Sequence, residues 1–267
     1  MLLKNQKPNY KMIFIITLLA LYLVPFFAVS LYGNFVIRDE FTKVYDLNYG
    51  ETALGSVSLY NPTDTIIQIK VSGADYAHTK NEEDYFLEPG KYTRSNANWI
   101  NFSEFISIRP KENATYPFTI VAPNQRNLVG SYWSVLFFEE VKSLSFSSNE
   151  DIAIDYRYCI QIITNLKNTG IIDMSFVEAN FLENNIILTL KNTGTLWFDA
   201  TIKIDIFNQN AEFIYTKSSE RHRIYPELER EYKIPIDQLK PAEYYAIIMV
   251  DGGNERVFGH QISFAVR

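Results

Sequence analysis

Short runs of alternating apolar and polar residues recur along most of the chain. In one of them Ile202, Ile204 and Ile206 fall on one face of an extended strand, and Lys203 and Asp205 fall on the other. Similar runs are separated by Asn-Pro, Asn-Thr-Gly and Asp-Gly-Gly sequences, which are typical of tight turns. No amphipathic helical pattern follows the first thirty residues. The pattern therefore predicts an all-β fold built from short antiparallel strands.

The polar, turn-rich stretch 164–173 divides these runs into two sets. We expect a first β-sandwich domain over 31–165, a linker over 166–173 and a second β-sandwich domain over 174–267. The second set is close to the length of one seven-stranded immunoglobulin-like sandwich, about 100 residues. The predicted fold class is therefore all-β, with two tandem immunoglobulin-like β-sandwich domains.

The stretch 130–140 is apolar on both faces of the strand that it predicts. One face carries Tyr132, Ser134, Leu136 and Phe138, and the other carries Trp133, Val135 and Phe137. A strand of an antiparallel sheet commonly buries one face and leaves the other in water. We expect the second face to be covered by the second domain, by a bound partner, or by the irregular region 75–100 with Trp99 folded over it. An aromatic patch of Trp99, Tyr132 and Trp133 is a candidate binding surface.

The first thirty residues have the pattern of a targeting segment. Three lysines precede an uncharged apolar run over 12–29, and the small residue Ser30 precedes a suitable cleavage point. Residues 1–30 are therefore expected to form a signal peptide or, if they stay uncleaved, an N-terminal anchor helix. This predicts an exported protein that meets a membrane only through an uncleaved N-terminal segment.

Composition and motifs argue against catalysis and against nucleic acid as a partner. The formal net charge is −6 and the chain has no basic block, which disfavours a nucleic-acid interface. Cys159 is the single cysteine, so it is expected to be a buried, small apolar residue outside any intramolecular disulfide. His78, His222 and His260 have no metal-ligand spacing, and no catalytic or phosphate-binding motif occurs. The sequence thus predicts a protein that is not an enzyme and takes no metal or cofactor.

Five segments of the first half share one pattern of strands and turns. They are FTKVYDL (41–47), the Asn-Pro-Thr-Asp turn at 61–64, the strands of 106–123, GSYWSVLFFEE (130–140) and IAIDYRYCIQII (152–163). In this order they resemble the amino-terminal, immunoglobulin-like domain of periplasmic pilus-assembly chaperones. The second half, through 190–215 and 225–253, resembles a bacterial immunoglobulin-like or fibronectin-type module. The resemblance implies a location in the periplasm or at the cell surface.

The resemblance also implies a function in binding an exported protein. Pilus chaperones hold a subunit by β-strand addition along the last long strand of the first domain, whose apolar side chains fill the subunit's groove. In this sequence the corresponding partner-binding row is Ile152, Ile154, Tyr156, Tyr158, Ile160 and Ile162. The alternative is that the same row packs into the domain's own core, as in any sandwich strand.

A carboxylate anchor is the second site that the resemblance implies. Pilus chaperones hold the partner's terminal carboxylate with two basic residues, one on the first strand and one on the last. Lys43 and Arg157 lie at the corresponding places in this sequence. The basic-proline pair that usually follows near the end of the last strand is absent, because 162–167 reads IITNLK.

Two classes of function stay open at this point. The first is an exported, chaperone-like module that assists the assembly of envelope or pilus-like surface proteins, and it requires an exposed strand edge at 152–162. The second is a structural or cell-surface attachment protein, which predicts a covered edge and a tightly packed domain interface. Carbohydrate binding through Trp99, Trp133 or Trp197 is a third interpretation of the aromatic residues.

Overall fold

The computed structural model describes residues 35–81, 83–141, 156–236, 239–253 and 255–267. The predicted signal or anchor helix lies outside these residues. Residues 34–267 form one compact unit. In the described part, regular structure consists of strands and one short 3-10 turn at Ala97–Trp99, which confirms the all-β prediction. Within that same part, no helix has the length and apolar character needed to cross a membrane.

The first half of the chain folds into two facing sheets. Its strands are β1 (Val36–Ile37), β2 (Thr42–Leu47), β3 (Thr52–Tyr60), β4 (Ile67–His78), β5 (Asp84–Leu87), β6 (Ile100–Phe102), β7 (Phe105–Ile108), β8 (Asn113–Val121), β9 (Ser131–Glu140) and β10 (Arg157–Leu166). One sheet has the order β1-β3-β8-β6. The other has the order β2-β10-β9-β4-β5, and β7 also pairs with β4. The chain thus enters the first sheet as β1 and changes to the second as β2.

The second half forms another pair of sheets. Its strands are β11 (Met174–Leu182), β12 (Asn185–Asn192), β13 (Phe198–Asn208), β14 (Phe213–Ser218), β15 (His222–Ile224), β16 (Glu229–Pro235), β17 (Ala242–Asp251) and β18 (Val257–Val266). The sheet orders are β11-β12-β16 and β14-β13-β17-β18, and β15 pairs with β13. Ile202, Ile204 and Ile206 on β13 are fully buried, whereas Lys203 is exposed, as the alternation predicts. The fold class of two tandem immunoglobulin-like sandwiches is confirmed.

A fully buried asparagine ties the two sheets together in each half. Asn61, in the Asn-Pro-Thr-Asp turn, donates from Nδ2 to the carbonyl oxygens of Thr65 and Ile108 at 2.8 and 3.0 Å. Asn192 donates from Nδ2 to the carbonyl oxygens of Leu196 and Ile224 at 2.9 and 3.0 Å. Each side chain thereby satisfies carbonyl groups that would otherwise be costly to bury.

Strand β9 is buried on both faces, and the two faces have different covers. Tyr132, Leu136 and Phe138 belong to the core between the two sheets of the first half. On the opposite face, Val135 and Phe137 pack beside the hairpin that β4 and β5 form. The ring centroids of Phe86, on β5, and Phe137 are 4.9 Å apart. The region 75–100 therefore covers part of the second face, and it contains strand β5 where an irregular loop was expected.

The indole of Trp133 lies on this second face, and its main cover comes from the second half of the chain. Its ring stacks on Tyr225 with centroids 4.4 Å apart and an interplanar angle of 23°. Its Nε1–H donates to the carbonyl oxygen of Tyr76 at 2.8 Å. Its backbone N–H donates to the carbonyl oxygen of Arg94, and its carbonyl accepts from Asn96. One residue therefore joins the hairpin region, β9 and the second sandwich.

The predicted cover by Trp99 is wrong, because its ring lies on the other side of the sheet. Trp99 packs against Tyr132 with centroids 4.7 Å apart, at the edge of the first core. Tyr132 and Trp133 are neighbours in a strand and point to opposite faces. Both are buried, so the three rings do not form one exposed aromatic patch.

We expect Asn192→Ala to lower the free energy of unfolding by about 3 kcal/mol, because the carbonyl groups of Ile224 and Leu196 would lose their donor and the buried Gly194 N–H would lose its acceptor. Urea unfolding followed by circular dichroism measures this change. Asn180→Ala is the matched control, since its exposed amide donates to the exposed Glu178, and we expect a change within about 0.5 kcal/mol. Equal effects of the two substitutions would contradict the role given to Asn192.

We expect Trp133 and Tyr225 to be energetically coupled across the two halves. In a double-mutant cycle of Trp133→Ala and Tyr225→Ala, the coupling free energy should be about 1 kcal/mol, as for other stacked aromatic pairs. Urea-unfolding free energies of the wild type, the two single variants and the double variant give this number. Strict additivity would show that the stacking does not hold the halves together.

Candidate functional site

Across the described residues, the first half of strand β10 has an open edge, which means that it pairs with a strand on one side only. On one side β10 pairs with β9 in antiparallel register along its length, from Arg157 to Asn165. On the other side β2 pairs with it in parallel only from Gln161 onward. At this point the N–H of Gln161 donates to the carbonyl oxygen of Phe41 at 2.8 Å. Residues 157–160 therefore have a strand neighbour on one side only, among the residues that the structure describes.

The register shows which backbone groups this edge presents. Backbone groups point alternately to the two sides of a strand. Because the N–H of Gln161 points to β2, the backbone groups of Cys159 and Arg157, which come two and four residues earlier, point to the same side. The intervening residues bond to β9 instead. Within the described ranges, the N–H and C=O groups of Arg157 and Cys159 have no strand opposite them. An extended segment could form a ladder with them.

An apolar strip lies beside this open edge. The ring centroid of Tyr158 lies 4.9 Å from that of Phe35 and 6.3 Å from that of Phe41, on which it stacks. Its hydroxyl donates to the carbonyl oxygen of Phe35. Phe41 is 52% exposed and Tyr156 is 38% exposed. Neighbouring apolar side chains that stay accessible are typical of a surface that receives a partner.

The predicted partner-binding row divides along β10. Ile160 and Ile162 are fully buried in the first core, which is the alternative that the sequence left open for this row. Tyr158 is half-buried at the rim of that core, and Tyr156 is exposed. The remaining two residues of the row, Ile152 and Ile154, lie outside the described residues. Among the described residues of the row, Tyr156 and Tyr158 are therefore the accessible ones.

The two predicted anchor residues are not brought together. Lys43 lies opposite Ile162, which follows Arg157 by five residues along β10, or roughly 16 Å in an extended strand. Lys43 pairs with Asp39 at 2.9 Å. The Arg157 guanidinium pairs with Glu139 and lies 4.1 Å from the centre of the Phe137 ring. Each cation therefore has its own local partner.

A different cation, Arg223 on β15, reaches the point where β2 joins β10. Its Nη1 donates to Gln161 Oε1 at 3.0 Å and to Thr42 Oγ1 at 3.3 Å. Its Nε pairs with Asp199 at 3.2 Å, and its guanidinium lies 4.4 Å from the ring centre of Trp197. The sequence offered no signal for Arg223, because the contact joins residues more than sixty positions apart.

The lone cysteine lies on the face of β10 that is directed away from the first core. Cys159 is partly buried beside Val135 and Phe137. Burial raises the pKa of its thiol to about 11, so the thiol is protonated and weakly nucleophilic at neutral pH. In the described part of the chain, no group of three or more His, Cys, Asp or Glu side chains is placed to hold a metal ion.

No protein-family model matches the sequence, and no curated protein matches it either. Solved structures do match. A chain of a chaperone–tip adhesin complex in CFA/I fimbriae biogenesis is 17% identical, with a TM-score of 0.53 over 86% of this chain and 98% of that one. The class 5 fimbriae chaperone CfaA is 16% identical, with a TM-score of 0.52 over 88% of this chain and 100% of that one.

A third match is the CsuC–CsuE chaperone–tip adhesion subunit complex of Acinetobacter baumannii, at 13% identity and a TM-score of 0.46 over 86% and 98% of the two chains. The first two matches extend over both sandwiches and nearly the full length of the solved chains. At this identity they establish the architecture. The described chain therefore has the two-sandwich fold of fimbrial chaperones.

Proposed function

We propose that the protein is an exported, non-enzymatic, chaperone-like module that binds an extended segment of another exported protein by β-strand addition. The observation that carries this proposal is the edge of β10, where no strand of the described residues lies opposite the backbone groups of Arg157 and Cys159. Unpaired backbone groups on an edge strand are a template for another chain. The location that fits this function is the periplasm or the cell surface.

The fold similarity supports the same proposal. Two structures that share the architecture are described as a fimbrial chaperone and as a chaperone–tip adhesin complex. By analogy, we propose an exported subunit or surface protein as the partner of this chain. Strand addition needs no catalytic group or cofactor, which agrees with the absence of a catalytic motif from the sequence.

The surroundings of the edge define the segment that would fit. An added strand would run beside residues 157–160 and would meet the start of β2 at Thr42. Every second side chain of that strand would lie on the face of Tyr158 and Phe41, so large apolar residues would fit at those positions. Arg157 would flank the side chains of the opposite face.

A strand that stops at Thr42 would place its terminus beside the Arg223 guanidinium. Arg223 already contacts Thr42 and Gln161 there, and Trp197 holds its guanidinium plane. If the segment runs parallel to β10, the terminus at this point is a carboxylate, which a guanidinium binds well. We therefore propose Arg223, rather than Lys43 with Arg157, as the cation of a carboxylate anchor.

One observation favours the second candidate, a structural or surface-attachment protein. The two halves are joined by the Trp133–Tyr225 stacking, by the 2.8 Å bond from the Ser131 N–H to the Thr195 carbonyl oxygen, and by the Arg94–Glu227 pair at 2.8 Å. A packed interface of this kind suits a rigid spacer. It also suits a chaperone whose binding edge must keep a fixed shape, and the edge of β10 supports the first candidate.

We expect Cys159→Pro to abolish partner binding, because proline removes an outward N–H and its ring blocks the edge. The bonds from β10 to β9 should persist, since proline is tolerated where the N–H faces away from the ladder. The full chain with a C-terminal affinity tag would be expressed in its native cells, and proteins that co-purify in stoichiometric amount from the envelope would be quantified by mass spectrometry.

Cys159→Ala is the matched control, because it keeps the amide and removes only the thiol. It should retain the partner, and both variants should keep the wild-type circular dichroism spectrum. In the complex, the amides of Arg157 and Cys159 should become protected from hydrogen exchange. A partner that is retained by the folded proline variant would contradict strand addition at β10.

We expect Arg223→Gln to weaken binding of the partner's C-terminal peptide by about tenfold, because hydrogen bonds to charged groups contribute about 1.5 to 3 kcal/mol. Arg221→Gln is the matched control, since Arg221 pairs with Asp199 and is largely exposed. Calorimetric titration with the free-acid and the amidated peptide separates the anchor from the ladder. An equal loss for both peptides would show that Arg223 does not bind the carboxylate.

A further inference from the structure

Strand β16, in the other half of the molecule, has a second open edge as far as the described strands show. β16 lies at the border of the sheet β11-β12-β16 and pairs only with β12 within that sheet. The bonds from the Asn192 N–H to the Leu228 carbonyl oxygen and from the Ile236 N–H to the Asn184 carbonyl oxygen fix which residues face β12. By the alternation of an antiparallel ladder, the even-numbered residues of β16 face β12. The backbone groups of Glu229, Glu231 and Lys233 therefore face outward.

One of these outward groups already binds a backbone group from elsewhere in the chain. The N–H of Glu231 donates to the carbonyl oxygen of Lys80, in the tip of the β4–β5 hairpin, at 2.8 Å. Lys80 Nζ also lies 3.7 Å from the carboxylate of Glu231. The edge thus accepts a backbone segment that approaches from outside the sheet, as in β-strand addition.

A groove continues along β16 beyond this contact. Its volume is about 550 Å³, within the range of binding sites for small ligands and short peptides. The groove runs between the edge of β16 and the segment that links β14 to β15. Its lining includes Ser218, Ser219, His222, Tyr232, Lys233 and Ile234. The backbone N–H and C=O of Lys233 face into it, and among the described residues no backbone group lies opposite them.

The two ends of the groove limit the length of an occupant. Lys80 closes one end, and at the other Pro235 has no N–H to donate. Lysine and proline on an edge strand disfavour long edge-to-edge pairing, so a second copy of this chain does not fit well. A segment of about four residues could bond to the carbonyl of Glu231 and to both groups of Lys233.

We propose that the edge of β16 between Glu231 and Pro235 binds a short extended segment of a partner protein. Side chains of the segment that lie opposite Tyr232 and Ile234 enter the mouth between the two sheets, where Ser218 and Ser219 line the wall. Small apolar or hydroxyl-bearing side chains fit there. This site uses a different strand, in the other half of the chain, and does not depend on the function proposed for β10.

The test uses the full chain and a tetrapeptide of alternating serine and valine, which carries fluorescein on its N-terminus through a flexible linker and is amidated at its C-terminus. Fluorescence anisotropy measures its dissociation constant. We expect Lys233→Pro to weaken binding by about tenfold, through loss of one hydrogen bond and a clash with the ring. Lys233→Ala keeps the amide and should change binding by less than about twofold. The circular dichroism melting curve of each variant verifies folding.

Two further arms separate this site from the others. Cys159→Pro blocks the edge of β10 and should leave the dissociation constant of the peptide unchanged. A peptide N-methylated at every second residue should not bind, because it cannot complete a ladder. The proposal is wrong if the unmodified peptide does not bind, if Lys233→Pro binds it as the wild type does, or if Cys159→Pro alone removes binding. Dimerisation through this edge, seen by sedimentation and lost in Lys233→Pro, would also overturn it.

Discussion

The stacking of Trp133 on Tyr225 joins the two halves of the chain, each of which contains one of the two proposed binding edges. Trp133 is fully buried in the middle of the sheet that contains β10, and Tyr225 follows β15 in the other half. The indole N–H also binds the carbonyl oxygen of Tyr76, at the base of the hairpin whose tip reaches β16. Because the rings of Trp133 and Tyr225 bury each other and also shield the indole N–H, separating the halves would expose both rings and this donor to water.

A fixed arrangement of the halves has a direct consequence for binding. Arg223 belongs to the second half, yet its guanidinium lies against Thr42 and Gln161 at the start of the β2–β10 ladder. Its position is kept by Trp197, whose indole N–H donates to Asn165 of β10 at 3.1 Å. A site built in this way loses little conformational entropy when a partner binds, because its groups are already in place.

Local pattern predicted the strands well, and long-range packing explains what it missed. The alternation at 202–206 fixed the buried face of β13, since side chains in a strand alternate strictly. Both faces of β9 are apolar, so the sequence indicated that its second face is covered. The covering residues Tyr225 and Phe86 are distant in sequence, and the local pattern could not identify them. The prediction that Lys43 and Arg157 form one anchor was made without the parallel register of β2 and β10, which no local signal in the sequence specifies.

The two open edges differ in the features that control which chains can use them. The described part of the β10 edge is bordered by Tyr158 and Phe41 and has no proline, so it can accept a strand with large apolar side chains. The edge of β16 is closed by Lys80 and Pro235, so it admits only a short segment. Edge strands that are unprotected risk aggregation, and each of these is restricted by different neighbours. Large apolar side chains would therefore favour the proposed site on β10, and a short segment with small side chains would favour the one on β16.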